Sequence, residues 1–110
     1  MTFKLVPNPT FTAPVNLTVP GQESPAQIEL EFRHKTPDAL KAWFEDGKAK
    51  TTAEALGEVV SGWSGVLDEK DKPLAYSSEL LAALLQNYPA SGTEILTAYV
   101  NRLTESRAKN

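Results

Sequence analysis

Cysteine is absent from this 110-residue sequence, and histidine occurs only once, at His34. Without cysteine the chain has no disulfide, thiolate metal ligand or cysteine nucleophile. A single histidine does not supply the paired imidazoles of a typical zinc site. The sequence also lacks a G-x-S-x-G elbow and a glycine-rich phosphate loop. We therefore expect no catalytic residues, no metal and no cofactor, and we expect that the protein is not an enzyme.

A basic surplus and a long apolar run are missing as well. Eleven Lys and Arg residues against 14 Asp and Glu residues give a formal net charge of −3, whereas nucleic-acid-binding domains are usually strongly basic. No apolar run approaches the ~20 residues of a membrane-spanning helix, and no signal-peptide pattern is visible. These gaps predict an intracellular protein with no nucleic-acid partner and no membrane partner.

The first third of the chain has the pattern of β-structure. Prolines recur from Pro7 to Pro25 at intervals too short for a helix. Two runs alternate apolar with polar residues: Val15, Leu17 and Val19 in the first, and Ile28, Leu30 and Phe32 in the second. A period of two is typical of strands, and the turn-rich gap between the runs favours an antiparallel hairpin. Phe3 and Leu5 are interpreted as the start of a short third strand.

From Thr36 onward the apolar period changes to that of amphipathic helices. Thr36 followed by Pro37 predicts the start of the first helix. Its apolar stripe consists of Leu40, Trp43 and Phe44. Thr51 and Glu54 have the spacing of a capping box at the start of a second helix. Its stripe, at i, i+3, i+4 and i+7, consists of Leu56, Val59, Val60 and Trp63.

Two further helices are predicted after a charged loop. The third begins near Ser77, where Tyr76 and Leu81 are spaced as a hydrophobic staple, and it ends before Pro89. Its apolar stripe consists of Leu80, Leu81, Leu84, Leu85 and Tyr88. The fourth helix is predicted to begin with a capping box from Ser91 to Glu94. Its stripe consists of Ile95, Leu96, Tyr99, Val100 and Leu103.

These patterns together predict an α+β fold, in which a hairpin of two to three strands packs on about four helices. We expect one domain over residues 1–110, mainly extended in residues 1–35, helical in residues 36–105 and frayed in residues 106–110. The predicted core consists of Leu30, Phe32, Leu40, Leu56, Val60, Trp63, Leu81, Leu84, Leu85, Leu96 and Val100.

Aromatic side chains are the candidates for binding a partner. Tyr88 and Tyr99 combine an apolar ring with a polar tip, which suits an interface. Trp43 and Phe44 lie on a predicted core stripe and are the other candidates. Trp63 is interpreted as the last apolar residue of the second helix, packed over the start of the third.

The polar candidates for chemistry have simpler interpretations. In the loop after Trp63, Lys70 and Lys72 alternate with acids and would repel a cation, so a solvated turn is favoured over a calcium site. His34 extends the apolar register of a strand, which favours a structural role.

The arrangement of these residues resembles that of the tail assembly chaperones of long-tailed bacteriophages. The likeness covers most of the chain loosely and is densest from Trp63 to Tyr99. It lies in Trp63-x-Gly65-Val66-x-Asp68-Glu69, Pro73-Leu74-x-Tyr76-Ser77, Leu84-Leu85-x-x-Tyr88-Pro89, Ile95 and Ala98-Tyr99, preceded by the strand at residues 28–35. These are mostly packing and turn residues, without a catalytic signature.

The resemblance implies a non-enzymatic protein in the host bacterial cytoplasm. Such chaperones coat the long helical tape measure protein, bring tail tube subunits to it and leave before the virion is complete. Many are made in two lengths through a ribosomal frameshift, and this chain would be the short form; a homo-oligomer is also considered. Two alternatives stay open: another small phage morphogenesis or adaptor protein acting through protein contacts, and a small enzyme using carboxylates, tyrosines and His34.

Overall fold

The two alternating runs form the expected hairpin, except that Val19 of the first run lies beyond the end of its strand. The computed structural model describes residues 3–104. Strand β1 (Thr10–Leu17) pairs antiparallel with β2 (Ala26–Arg33), with Phe11 opposite Phe32 and Val15 opposite Ile28. Gly21, at a φ of 87°, lies in the turn between the strands, in a conformation that glycine adopts at little cost. The apolar side chains of both strands point to one buried face.

The third strand comes from a different part of the chain than expected. Strand β3 (Val60–Ser64) pairs antiparallel with β2, which gives the sheet order β1-β2-β3. The interpretation of Phe3 and Leu5 as the start of a strand was wrong, because these residues lie outside the three strands. Their side chains are 91% and 89% exposed, so no sheet face covers them.

In residues 3–104, four helices follow the hairpin, and three of the expected caps are present. The helices are α1 (Pro37–Gly47), α2 (Thr52–Gly57), α3 (Ser78–Asn87) and α4 (Ser91–Thr104). The hydroxyls of Thr36 and Ser77 accept hydrogen bonds from backbone N–H groups in the first turns of α1 and α3. Thr51 and Glu54 form both bonds of a capping box at α2. The fold is therefore α+β, as the sequence predicts.

The second helix is much shorter than its apolar stripe indicated. Helix α2 ends at Gly57, and Val60 to Trp63 continue as strand β3, so the prediction of a helix through Trp63 was wrong. The segment pairs instead with β2, where Leu30 lies opposite Trp63. Residues 57–63 contain two glycines and two valines, and both residue types have low helix propensity. Hydrogen-bond pairing with the central strand β2 therefore favours a strand over a longer helix.

The expected capping box at the start of α4 was also wrong. Ser91 is already helical, and its hydroxyl donates to the carbonyl oxygen of Tyr88. The Glu94 carboxylate instead accepts hydrogen bonds from the backbone N–H and the hydroxyl of Thr18. This contact ties the first turn of α4 to the end of β1.

The helices cover one face of the sheet, and the core lies between the two layers. Phe32 packs against Tyr99 of α4 at 4.9 Å between ring centroids, and Tyr99 in turn contacts Trp43 at 5.7 Å. Of the residues expected in the core, five are buried: Leu30, Phe32, Leu56, Val60 and Leu81. The others are partly buried and pack against them: Leu40, Trp63, Leu84, Leu85, Leu96 and Val100. The predicted frayed tail at residues 106–110 lies outside the described residues.

Candidate partner-binding groove

An open groove runs between the four helices on the side of the molecule that bears Phe44. Its volume is about 820 Å³, within the range of pockets that hold ligands or peptide side chains. Apolar side chains from every helix line it: Trp43, Phe44, Leu56, Ala82, Leu85 and Leu96. The groove therefore presents apolar side chains of all four helices, beside polar residues such as Thr52, Gln86 and Thr93.

Two neighbouring aromatic residues have different roles in this groove. Trp43 is buried, and its Nε1 donates a hydrogen bond of 3.0 Å to the carbonyl oxygen of Ala55. Phe44 lies against it, with ring centroids 5.2 Å apart, but remains 43% exposed. Trp43 thus fixes α1 to α2, while Phe44 offers apolar surface to solvent. Exposed apolar surface of this kind marks interaction sites in soluble proteins.

The charged side chains that line the groove are basic. Lys48 and Lys50 line the groove, and Lys50 forms an ion pair with Glu58. The hydrogen bond that the Lys50 ammonium donates to the Glu58 carboxylate raises the pKa of Lys50, and the charges of Asp46 and Glu54 add to this effect. The ion pair with Glu58 partly offsets the charge of Lys50, although solvent and salt weaken this attraction at an exposed position.

The two tyrosines proposed from sequence as partner contacts lie in different environments. Tyr99 is fully buried, and its hydroxyl donates a hydrogen bond of 2.8 Å to the carbonyl oxygen of Arg33. A partner could contact Tyr99 only if this part of the core opened. Tyr88 is half-buried at the end of α3, beside the groove residue Pro89. Contact of a partner with Tyr88, Tyr99, Trp43 or Phe44 stays a prediction.

Trp63 lies in a packed corner, but on a strand instead of a helix. Its Nε1 donates a 2.7 Å hydrogen bond to the carbonyl oxygen of Leu74, and its ring meets the ring of Tyr76 edge-on at 5.1 Å. The Tyr76 hydroxyl donates back to the carbonyl oxygen of Val60. These hydrogen bonds hold the connection between β3 and α3 against the sheet.

The polar candidates for chemistry have structural partners. The Asp68 Oδ1 accepts from the backbone N–H groups of Lys70 and Lys72, so this carboxylate shapes its own loop. His34 is exposed, and its backbone N–H donates to the carbonyl oxygen of Pro9. Within residues 3–104, no group of three or more His, Asp or Glu side chains is placed to hold a metal ion.

Several groove residues were missed by the sequence patterns because they are small. Ala82 and Gly92 belong to no apolar stripe, yet both line the groove. A Cβ atom added at Gly92 would lie 3.0 Å from Cγ2 of Thr52, so glycine permits the close approach of α4 to α2. A small residue beside large apolar ones is the sequence signal for such positions, but this signal does not reveal which helices pack together.

The comparisons with known proteins identify the family of the chain. None of the helices in the described part of the chain is long and apolar enough to cross a membrane. No match was found among curated proteins or among solved structures. The family model described as phage tail assembly chaperone matches residues 1–110, the full length of the sequence. The chain therefore belongs to the phage tail assembly chaperone family.

Proposed function

We propose that the protein acts without enzymatic chemistry, by holding a segment of the tape measure protein in its helical groove and recruiting tail tube subunits to it. It would do so in the cytoplasm of the host bacterium and leave before the virion is complete. The observation that carries this proposal is the open apolar groove with Phe44 at its surface. Membership of the chaperone family supports it independently.

The shape and composition of the groove favour a helical segment as the bound partner. An amphipathic helix presents apolar side chains at i, i+3, i+4 and i+7, and it binds in apolar grooves between helices. The groove walls are held in place before binding, since Trp43 is bonded to Ala55 and α2 carries a complete capping box. A preformed groove loses little conformational entropy when it is filled.

A second surface remains open when the groove is filled. The sheet face opposite the helices presents exposed polar side chains such as Thr12, Asn16 and Glu29. Because this face and the groove lie on opposite layers, one molecule can hold two partners at once. This supports a bridging role, in which the sheet face or its edge contacts a tail tube subunit.

The groove is tested by titrating overlapping helical segments of the tape measure protein against the purified chain by isothermal titration calorimetry. Phe44→Ser is expected to weaken binding at least tenfold, because anchors near the centre of an interface commonly contribute more than ~1.4 kcal/mol. Leu67→Ser is the matched control, since Leu67 is 52% exposed and does not line the groove. Equal affinities of Phe44→Ser and wild type, or no binding of any segment, would contradict the proposal.

A further inference from the structure

The charged side chains along the helical groove have one sign, although the protein as a whole is acidic. The formal net charge is −3, with 14 Asp and Glu residues against 11 Lys and Arg residues. The charged residues that line the groove are nevertheless Lys48 and Lys50, and no carboxylate of residues 3–104 lines it. The groove therefore offers a polypeptide partner apolar contacts and positive charge together.

Lys48 is the cation of the groove that is available to a partner. Lys50 already forms an ion pair with Glu58, and two further carboxylates act on its charge. Within residues 3–104, no carboxylate lies within ion-pairing distance of Lys48, and this side chain is exposed. A carboxylate of a bound partner can therefore pair with Lys48 without breaking an ion pair of the free protein.

Lys48 also lies beside the exposed aromatic ring of the groove. It follows Phe44 by four positions, and its backbone keeps helical angles, with a φ of −64° and a ψ of −24°. Side chains four residues apart on a helix are neighbours, with ~5–6 Å between their Cβ atoms. The apolar surface of Phe44 and the positive charge of Lys48 therefore form one recognition element on the same face of α1.

We propose that this pair selects the segment that the groove binds: an amphipathic helix with an Asp or Glu residue three or four positions from the apolar residue that contacts Phe44. The inference rests on the proposed function, in which the groove holds a helix, and it names the chemistry of that helix. Side chains at this spacing are neighbours on the bound helix, so they match the spacing of Phe44 and Lys48. The apolar contact supplies most of the affinity, and the charge pair discriminates among apolar helices.

The charge requirement applies to one flank of the bound helix. Lys48 and Lys50 both belong to the connection between α1 and α2. The groove residues of α3 and α4 are uncharged and include Gln86 and Thr93. A helix whose apolar stripe fills the groove therefore places one polar flank beside the lysines and the other beside uncharged side chains. Basic residues on the first flank are repelled, which excludes apolar helices of the wrong charge.

Two synthetic helical peptides test this inference without any phage protein. Both carry the same apolar stripe, and the residues on one flank of the stripe are all Glu in the first peptide and all Lys in the second. In calorimetry at low salt, the wild type is expected to bind the Glu peptide about five- to tenfold more tightly, because attraction to Lys48 in one complex is repulsion in the other. The difference between the two affinities should shrink as salt is added.

Charge reversal then identifies the lysine that contacts the acidic flank. Lys48→Glu is expected to lose or invert the preference for the Glu peptide, whereas Lys41→Glu is expected to keep the wild-type preference. Lys41 is also exposed on α1 but does not line the groove, so this control has the same net charge as Lys48→Glu. Circular dichroism of both variants should match the wild type, because both side chains are exposed.

Equal binding of the two peptides to the wild type, or no binding of either, would overturn the inference. So would an equal loss of preference in Lys48→Glu and Lys41→Glu. Tape measure segments that depend on Phe44 but bind equally to the wild type and Lys48→Glu would overturn this inference and support the proposed function. A clear preference for the Glu peptide without binding of any tape measure segment would support this inference and contradict the proposed function.

Discussion

Tyr99 shows how a residue chosen as a surface contact can belong to the core. Its ring packs between Phe11, Phe32 and Trp43, with centroid distances of 6.0, 4.9 and 5.7 Å. Its hydroxyl donates a hydrogen bond to the carbonyl oxygen of Arg33 at the end of β2. The polar tip that suggested an interface is thus used inside the molecule, where it joins α4 to the central strand. Sequence alone does not separate these two uses of a tyrosine.

The buried hydroxyl of Tyr99 predicts a loss of stability at high pH. Burial raises its pKa from 10.0 to about 12. Below pH 10 the folded and the unfolded chain both keep the proton, so the contribution is fully present. Between pH 10 and 12 only the unfolded chain releases the proton, and the free energy of unfolding therefore falls.

In Tyr99→Phe, the decrease in the free energy of unfolding between pH 10 and 12 is expected to be smaller, as measured by urea unfolding from pH 7 to 12. At pH 7 the variant should be less stable by about 1 kcal/mol, because the Arg33 carbonyl loses its partner. Tyr88→Phe removes one hydroxyl from a half-buried tyrosine and should keep the wild-type slope. The interpretation fails if Tyr99→Phe and the wild type lose stability in parallel above pH 10.

The boundary between α2 and β3 shows that the spacing of apolar residues alone does not determine secondary structure. The spacing of Leu56, Val59 and Val60 fits a helix, but these residues reach the same core across a helix end and the start of a strand. Alternation in β1 and β2 and the caps at Thr36, Thr51 and Ser77 were readable, because each depends on neighbouring residues alone. Strand β3 depends on pairing with β2, about 30 residues earlier, which no local pattern records.

Individual residues of the groove were predictable from the sequence, but the groove itself was not. Trp43, Phe44, Leu85 and Leu96 all lie on stripes that the sequence reveals. Whether the apolar side chains of such a stripe are buried or exposed depends on how the four helices pack. Contacts such as the one between Gly92 and Thr52 determine this packing. Phe3 and Leu5 were mistaken for the start of a strand, because a short alternating run has the same pattern whether or not it pairs with a sheet.

Two glycines that flank β3 are expected to respond oppositely to alanine. Gly65 has a φ of 86°, a left-handed conformation in which a Cβ costs ~1–2 kcal/mol, so Gly65→Ala should destabilise by about that amount. Gly57 ends α2, and an added Cβ would have no atom within 4 Å. Gly57→Ala should stabilise by roughly 0.5–1 kcal/mol, because alanine loses less backbone entropy in a helix. Chemical denaturation of both variants measures this, and effects of the same sign would contradict the assignment of α2 and β3.

At the scale of the whole molecule, the chain is built of two layers, with the core between the sheet and the helices. The groove lies among the helices, whereas the opposite face of the sheet carries exposed polar side chains such as Thr12, Asn16 and Glu29. If a tape measure segment fills the groove, as proposed, this face of the sheet stays open to a second protein. Phe44→Ser is therefore expected to weaken binding of the tape measure segment and to leave binding of a tail tube subunit unchanged, which calorimetry with each partner measures.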